Sequence, residues 1–262
     1  MKISILSTFY NDKPMLKRVV DSVLMQTCTD IEHIIVDAAS TDGSVELLKE
    51  YEAKYAESSK SLRWISEPDG GIYYGFNKAF EMSTGDYIMV GAPDPYADNQ
   101  VFSDLLKTLE EEKPDYIYGG IYFQKNGTII RRWSGKPGNW RLGWMAATPA
   151  LCVKRSVLEN IAALEKCGLF DIERRIAADY KLQIRLFMDK TLKSRSLDRM
   201  MVTYYAGGTS NGGIKGKWES IKDGQKALID CGVKFAWFTT LCRILRAIFS
   251  YIFVSHEKIK VS

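Results

Sequence analysis

The first hundred residues alternate between short, mostly apolar runs and stretches with helical spacing. Strand-like runs occur at 3–6, 33–37, 61–66 and 87–91, and helical stretches at 13–25, 44–55 and 73–82 lie between them. This regular succession predicts parallel strands joined by helical crossovers. Because most of the runs are apolar, the strands are expected to be buried on both faces. The pattern therefore predicts an α/β fold with a mostly parallel sheet and helices on both faces.

The pattern is less regular after residue 115. The runs 116–123 and 128–133 flank a polar Lys-Asn-Gly turn and predict a β-hairpin. Helices are expected near 157–165 and over 178–187. Since no repeat or Pro/Ser-rich linker interrupts the chain up to residue 210, we expect residues 1–210 to form one domain.

The last fifty residues have a different character. Residues 211–262 contain nine Lys or Arg and four Asp or Glu, whereas the whole chain has a net charge of +4. Arg243 and Arg246 fall inside the apolar stretch 235–254, which disfavours a transmembrane span. On a helix the two arginines share one face, and large apolar side chains lie elsewhere. We therefore predict a basic, amphipathic helical tail on an anionic membrane surface. Packing on the domain, or on a second subunit in a homodimer, is the alternative.

Composition narrows the class of protein. Hydrophobic residues make up 46% and charged residues 26%, as in packed domains, and the small net charge predicts no nucleic-acid binding. The five cysteines show no CxxC spacing, so neither a disulfide framework nor a zinc site is expected. His33 lies in an apolar run and is expected to pack in the core. The first residues lack a signal-peptide pattern, which predicts a cytoplasmic protein at the inner face of the membrane.

Carboxylates follow two of the predicted strands. Asp37 ends the second strand and Asp94 comes shortly after the fourth. Open parallel sheets bind ligands at the carboxyl ends of their strands, so these acids predict a polar ligand. Neither GxGxxG nor GxxxxGK[ST] occurs in the sequence, which argues against the common dinucleotide-binding and P-loop classes.

Six segments in order resemble the inverting family 2 glycosyltransferases, which have the GT-A fold. They are FYN (9–11), Gln26, IIVDAASTDGS (34–44), SEPDGGIYYGFNKA (66–79), GDYIMVGAPDP (85–95) and AADYKLQIRL (177–186). The resemblance spans residues 1–210. It implies transfer of a sugar, with inversion, from a nucleotide-sugar that is usually UDP-linked to an acceptor hydroxyl. Residues 1–100 would form the nucleotide-binding half and 101–210 the acceptor-binding half.

The resemblance also assigns roles to residues. Asp37 would accept the N3–H of uracil, and Asp179 would be the base that deprotonates the acceptor. Helix capping is the alternative for Asp37, and a charge at a helix start is the alternative for Asp179. The residues implied in donor binding are Phe9, Tyr10, Asn11, Asp37, Asp69, Gly71 and Asn77.

A metal site is implied by the same resemblance. Asp94 matches the last acid of an Asp-x-Asp motif, but Ala92 stands at the first acid position and Pro95 follows. One carboxylate would then hold Mn²⁺ or Mg²⁺ together with phosphate oxygens and water.

Acceptor binding is expected from the less regular half. Trp133, Trp140 and Trp144 flank a segment that also contains Arg131, Arg132 and Arg141. Aromatic faces stack on sugars and arginine binds phosphate, while core packing is the alternative for the tryptophans.

The predicted function is a membrane-associated glycosyltransferase that extends a surface polysaccharide or a lipid-linked glycan. A non-catalytic nucleotide-sugar-binding or scaffold protein is the first alternative, because Ala92 and Pro95 stand where acids are common. A membrane-docking module without nucleotide affinity is the second.

Overall fold

The computed structural model describes residues 1–89, 94–205, 213–253 and 259–260. Its strands are β1 (Ile3–Phe9), β2 (Ile31–Asp37), β3 (Ser61–Ser66), β4 (Tyr87–Met89), β5 (Tyr116–Lys125), β6 (Thr128–Trp133), β7 (Leu151–Lys154), β8 (Ser194–Tyr205) and β9 (Ile259–Lys260). Its helices are α1 (Lys13–Leu24), α2 (Ser44–Glu57), α3 (Ile72–Met82), α4 (Val101–Glu112), α5 (Arg155–Leu164), α6 (Ala178–Met188), α7 (Gly213–Asp230) and α8 (Ala236–Phe253). Short 3₁₀ turns lie at Trp140–Leu142 and Thr148–Ala150.

One sheet organises the molecule, with the strand order β3-β2-β1-β4-β7-β5-β6-β9 and β8 paired to β5. The pairs among β3, β2, β1 and β4 are parallel, as is β5 with β8, while β7, β6 and β9 pair antiparallel to their neighbours. Helices pack on both faces. The core on one face includes side chains of α1, α2 and α4, and the core on the other includes side chains of α3, α5 and α6. The predicted α/β fold is confirmed.

Local sequence explains several element boundaries. Helix α1 begins where Asp12 accepts a hydrogen bond from the Met15 amide, with Pro14 in the first turn. The predicted hairpin is β5–β6, and its turn residues Asn126 and Gly127 both have positive φ. Asn and Gly tolerate this backbone better than other residues, which is why the turn forms here.

The C-terminal segment is built into the domain. A third buried cluster joins Tyr180 and Ile184 of α6 to Ala227 and Leu228 of α7, and it continues to Ala236 at the start of α8. In the part of the chain that the structure describes, no helix is long and apolar enough to cross a bilayer. The sequence predicted a tail at 211–262, and the structure shows that its first half shares a core with the body.

Candidate active site

The loops after β1 and β2 are locked together at the carboxyl edge of the sheet. The Asn11 side chain accepts a hydrogen bond from the Thr41 amide, and the Asn11 amide donates to the Ser40 hydroxyl, each at 2.8 Å. Asp42 accepts hydrogen bonds from the Lys13 amide at 2.7 Å and from the Ser44 amide at 3.1 Å. The starts of α1 and α2 are therefore held by one set of contacts.

Asp37 lies beneath these loops and is fully buried. Its carboxylate accepts hydrogen bonds from the Ser40 amide at 2.9 Å, from the Ser40 hydroxyl and from the Ser66 hydroxyl at 2.6 Å. These donors engage both oxygens of the Asp37 carboxylate. In this arrangement Asp37 organises the loops after β2 and β3, and neither oxygen is exposed to a uracil ring. Helix α2 begins at Ser44 with Gly43 as its N-cap and no side-chain cap, so these contacts are not those of a helix cap. The contact of Asp37 with uracil stays a prediction.

The other predicted donor residues divide into exposed and internal ones. Tyr10, Asn11, Asp69 and Gly71 are exposed at this edge, whereas Phe9 is buried in the core. Asp69 accepts a hydrogen bond from the Gly71 amide at 2.8 Å, and Gly71 has a φ of 124°, which favours glycine.

Asn77 has a structural task that the sequence did not predict. Its amide nitrogen donates to the carbonyl oxygens of Cys167 and Phe170, at 3.0 and 2.9 Å, and its amide oxygen accepts from the Phe170 amide at 2.7 Å. With these groups engaged, Asn77 fixes the segment that leads to α6 and has no free donor for a nucleotide.

A cavity of about 850 Å³ brings together two of the predicted acids. Asp94 and Asp179, 85 positions apart in the sequence, both line it. We call it the main cavity. Its lining also includes residues of α3, β5, β6, the segment 134–149, α6, β8, α7 and α8.

Asp179 is positioned by contacts from three parts of the chain. It lies in the first turn of α6 and is half-buried. One carboxylate oxygen is 3.1 Å from the Tyr73 hydroxyl and accepts from the Tyr180 amide at 2.8 Å, while the other accepts from the Thr148 hydroxyl at 3.0 Å. Gln183 donates in turn to the Thr148 hydroxyl at 2.8 Å. The carboxylate is therefore held in one orientation at the cavity wall.

Asp94 is positioned by β8. The Thr203 amide donates to the Pro95 carbonyl oxygen and the Ala97 amide to the Met201 carbonyl oxygen, both at 2.9 Å. Burial raises the pKa of Asp94 to about 7, and a backbone hydrogen bond at Tyr205 offsets only part of that rise. A cation beside this carboxylate would favour its charged form.

The fit of Asp94 to a divalent metal follows from its surroundings. Among the described residues, no three His, Cys, Asp or Glu side chains form a group that could hold a metal ion. Ala92, which replaces the first acid of the motif, lies outside the described residues. A magnesium-type ion needs only one or two carboxylates when substrate phosphates complete its shell. Within the described residues, the surroundings of Asp94 fit a metal that a diphosphate also binds, and they do not supply the ligands for an ion held by protein alone.

The three tryptophans predicted for the acceptor occupy different places. Trp133 lines the main cavity, and the Arg131 guanidinium lies 5.5 Å from its ring centre. Trp144 lines the cavity too, but it is buried and packs against Tyr118 and Phe187. Trp140 is absent from the described cavity lining; it stacks with Arg141 and packs on the third cluster. The core-packing alternative therefore describes Trp140, and in part Trp144.

The sequence did not predict several side chains that lie around Asp179 and at the end of β1. Tyr73 and Gln183 support Asp179, and Thr148 was noted only as a departure from a family pattern. Thr8, near the end of β1, has a buried hydroxyl with no hydrogen-bond partner in the described part of the chain. Thr8 is recognised from the structure, by its buried hydroxyl without a partner within the described ranges, and not from the sequence. No local signal exists for the others, because they contact Asp179 only through the fold.

Comparisons with solved structures define the class of fold. S. aureus TarS in complex with UDP-GlcNAc is similar with a TM-score of 0.65 and 15% sequence identity, over 96% of this chain and 73% of that chain. A mannosyltransferase from Pyrobaculum calidifontis in complex with GDP-Man and Mn²⁺ is similar with a TM-score of 0.63 and 13% identity, over 97% of this chain and 76% of that chain. The fold is that of the GT-A glycosyltransferases.

The sequence comparisons give the family. The model of glycosyl transferase family 2 matches residues 4–162. The PGL/p-HBAD biosynthesis glycosyltransferase of Mycobacterium tuberculosis is 25% identical over 217 residues, which cover 79% of this chain and 78% of the relative. The chain belongs to glycosyl transferase family 2 and is a glycosyltransferase, which confirms the resemblance found in the sequence.

Proposed function

We propose that this glycosyltransferase moves a sugar, with inversion, from a UDP-sugar to a hydroxyl of a glycan or a lipid-linked saccharide. The observation that carries the proposal is that Asp94 and Asp179 face the same cavity. One acid would lie at the departing diphosphate and the other at the attacking hydroxyl. The similarity to a structure that holds UDP-GlcNAc supports a UDP-linked donor, and a role in surface polysaccharide synthesis extends the proposal from the sequence.

The proposed mechanism assigns one step to Asp179. The acceptor hydroxyl attacks the anomeric carbon on the side opposite the diphosphate, and Asp179 takes its proton as the new C–O bond forms. The bond from the anomeric carbon to the diphosphate oxygen breaks, and the diphosphate leaves with the electron pair. Attack from the opposite side gives inversion. Because Tyr73 and Thr148 hold the carboxylate, little reorganisation is needed when the hydroxyl arrives.

The nucleotide is proposed to bind at the ends of β1, β2 and β3. Tyr10 and Asp69 are exposed there, and the Thr8 hydroxyl has no partner among the described residues. Asp37 and Asn11 would act by holding the loops in place. A divalent Mn²⁺ or Mg²⁺ ion held by Asp94 would offset the charge that develops on the leaving diphosphate, and the neighbour that holds GDP-Man with Mn²⁺ supports this assignment.

Association with a membrane surface is the second part of the proposal. Helix α8 exposes large apolar side chains along one face, including Trp237, Leu241, Leu245 and Ile248. Lys and Arg outnumber Asp and Glu in the same C-terminal segment. A helix with this pattern lies in the interface of an anionic membrane, so we assign the enzyme to such a surface as a peripheral protein.

Calorimetric titration with UDP and a comparison of two variants test the proposed reaction. We expect UDP to bind, to bind more tightly with Mn²⁺ or Mg²⁺ than with chelator, and to lose that metal enhancement in Asp94→Ala. Asp179→Asn should keep the UDP affinity and lose sugar transfer by at least about a thousandfold, because a general base contributes factors of this order. UDP-sugars would be screened as donors. Transfer that persists in Asp179→Asn would remove Asp179 from the base role, and absence of UDP binding would contradict the proposed donor class.

A further inference from the structure

Helix α8 lies with its arginines at the main cavity and its large apolar side chains towards solvent. Arg243, Arg246 and Ala247 line the main cavity, while Trp237 and Leu245 are exposed. A helix that merely covers a domain normally buries its apolar stripe. The orientation of α8 is the reverse, so the two arginines have a place at the same cavity as Asp179.

The approach of α8 to the cavity is close and specific. Gly143 has a φ of 78°, and a Cβ atom added there would lie 2.5 Å from the backbone nitrogen and Cα of Arg243. Only glycine permits both this backbone and this contact. The Arg243 guanidinium lies 4.4 Å from the centre of the Tyr180 ring, and Tyr180 is the residue that follows Asp179 in the sequence. Helix α8 is therefore part of the cavity wall.

The charges around the cavity are unbalanced. Its described lining contains the basic residues Arg131, Arg132, Lys136, Arg243 and Arg246 but only two carboxylates, Asp94 and Asp179. Across the described ranges, no ion pair joins Arg132, Lys136, Arg243 or Arg246 to a carboxylate. Several cations without counterions around one cavity favour an anionic ligand, and arginine suits phosphate oxygens in particular.

We propose that Arg243 and Arg246 of α8 bind a phosphate or diphosphate group of the acceptor. The inference rests on the proposed function, in which Asp179 is the base at the acceptor hydroxyl. Tyr10 and Asp69, which are assigned to the nucleotide, do not occur in the described lining of the cavity, whereas Asp179 does. The substrate class is therefore a saccharide carried on a phosphate or diphosphate, with the apolar face of α8 beside it suited to a lipid carrier.

The same phosphate chemistry has a second source, because the donor also contains a diphosphate and Asp94 lines the cavity. The two sources make different predictions. If the arginines bind the acceptor, replacing them should leave the affinity for UDP unchanged. If they bind the donor, replacing them should weaken UDP binding.

Calorimetric titrations with farnesyl phosphate, farnesol and UDP test the proposal. Wild-type protein should bind farnesyl phosphate about tenfold or more tightly than farnesol, since charge-assisted hydrogen bonds carry the difference. Arg246→Gln, at an exposed position, should weaken farnesyl phosphate binding by about tenfold and leave UDP affinity within about twofold. Arg243→Gln should act in the same direction. The matched control is Lys226→Gln, an exposed cation on α7 that does not occur in the described cavity lining.

The outcomes that overturn this proposal differ from the one that overturns the proposed donor. Weaker UDP binding with unchanged farnesyl phosphate binding in Arg246→Gln would assign the arginines to the donor. Equal affinity of wild type and Arg246→Gln for both ligands, or equal binding of farnesol and farnesyl phosphate, would show that no anion site exists here. Failure of wild-type protein to bind UDP would contradict the proposed donor, and the farnesyl phosphate titration would still decide this question.

Discussion

Asp179 depends on residues that come from far along the chain. Tyr73 is on α3, Thr148 is on the second 3₁₀ turn, and both contact its carboxylate. Burial and the nearby Asp179 carboxylate raise the pKa of Tyr73, so its hydroxyl stays protonated and remains a donor. These residues act by positioning the proposed base.

Replacing Tyr73 by phenylalanine removes one donor and keeps the ring that stacks on Phe170. The Tyr73 hydroxyl lies 2.7 Å from the Ile176 carbonyl oxygen and 3.1 Å from Asp179, so the substitution loosens both the carboxylate and the segment that leads to α6. We expect kcat to fall by about tenfold, with little change in the KM for the donor. Initial rates over a range of donor concentrations measure this, and the thermal midpoint checks folding. A variant that changes only the donor KM would contradict the positioning role.

His33 gives a stability prediction at the same scale. It is fully buried, contacts the Ser7 hydroxyl at 3.0 Å and the Tyr55 hydroxyl at 2.8 Å, and burial lowers its pKa from 6.5 to about 3. The unfolded chain takes up a proton on His33 below pH 6.5, whereas the folded chain does so only near pH 3. Unfolding therefore absorbs a proton in this range, and the free energy of unfolding falls as the pH falls.

The measurement is the slope of stability with pH. Between pH 6.5 and about pH 4.5, His33 should remove about 2 kcal/mol from the free energy of unfolding, since one proton changes stability by about 1.4 kcal/mol per pH unit. In denaturant titrations at several pH values, the free energy of unfolding of His33→Gln should fall less steeply with pH, by about 1.4 kcal/mol per pH unit. This difference in slope is expected whatever the absolute stability of the variant. Equal slopes for the two proteins would mean that His33 is charged in the fold.

At the scale of elements, α7 secures the start of α6, the helix that carries the proposed base. Asp223 accepts hydrogen bonds from the Ile176 and Ala177 amides, each at 3.0 Å, and pairs with the buried Arg174 at 3.2 Å. Arg174 also pairs with Asp230 and lies 3.4 Å from Asp171. The segment before Asp179 is therefore fixed by a helix that the sequence places beyond the family resemblance.

Replacing Asp223 by alanine should cost about 3 kcal/mol, because a buried charge loses a partner and two amides lose their acceptor. Glu219→Ala, on an exposed position of the same helix, should change stability by less than about 0.5 kcal/mol. Denaturant unfolding measures both variants. We also expect slower sugar transfer by Asp223→Ala at temperatures where it is folded. A rate equal to that of wild type would mean that α7 does not help to position Asp179.

Elements with strong periodicity were predictable from the sequence, and elements with mixed composition were not. The runs that form β1 and β2 are mostly apolar, and every position in them is buried, so the local pattern agrees with the pairing and burial of the strands. Strand β8 begins with Ser194, Arg195 and Ser196 and gives no such run, yet it pairs with β5 and positions Asp94. The resemblance supplied Asp94 and Asp179, but Thr148 and Gln183 acquire their roles only when distant elements pack together.

At the scale of the whole molecule, α8 both exposes an apolar face and lines the main cavity. Leu245 is 45% exposed on that face, two residues after Arg243 in the cavity wall. If α8 lies in a membrane interface, the cavity opens next to the lipid headgroups, where a lipid-linked acceptor would present its phosphate. Docking and acceptor binding would then be two consequences of one amphipathic helix.

Sedimentation with vesicles tests this arrangement with single substitutions. The full-length protein should bind anionic vesicles and bind zwitterionic vesicles more weakly, because basic residues contribute. Leu245→Gln should lower the partition coefficient by about fivefold, since about 1 kcal/mol of apolar burial is lost. Leu164→Gln makes the same change at a leucine on α5 that is 68% exposed, and it should leave binding unchanged. Equal losses in both variants would mean that α8 is not the contact. A dimer in solution that Leu245→Gln dissociates would assign the apolar face to a second copy of the chain.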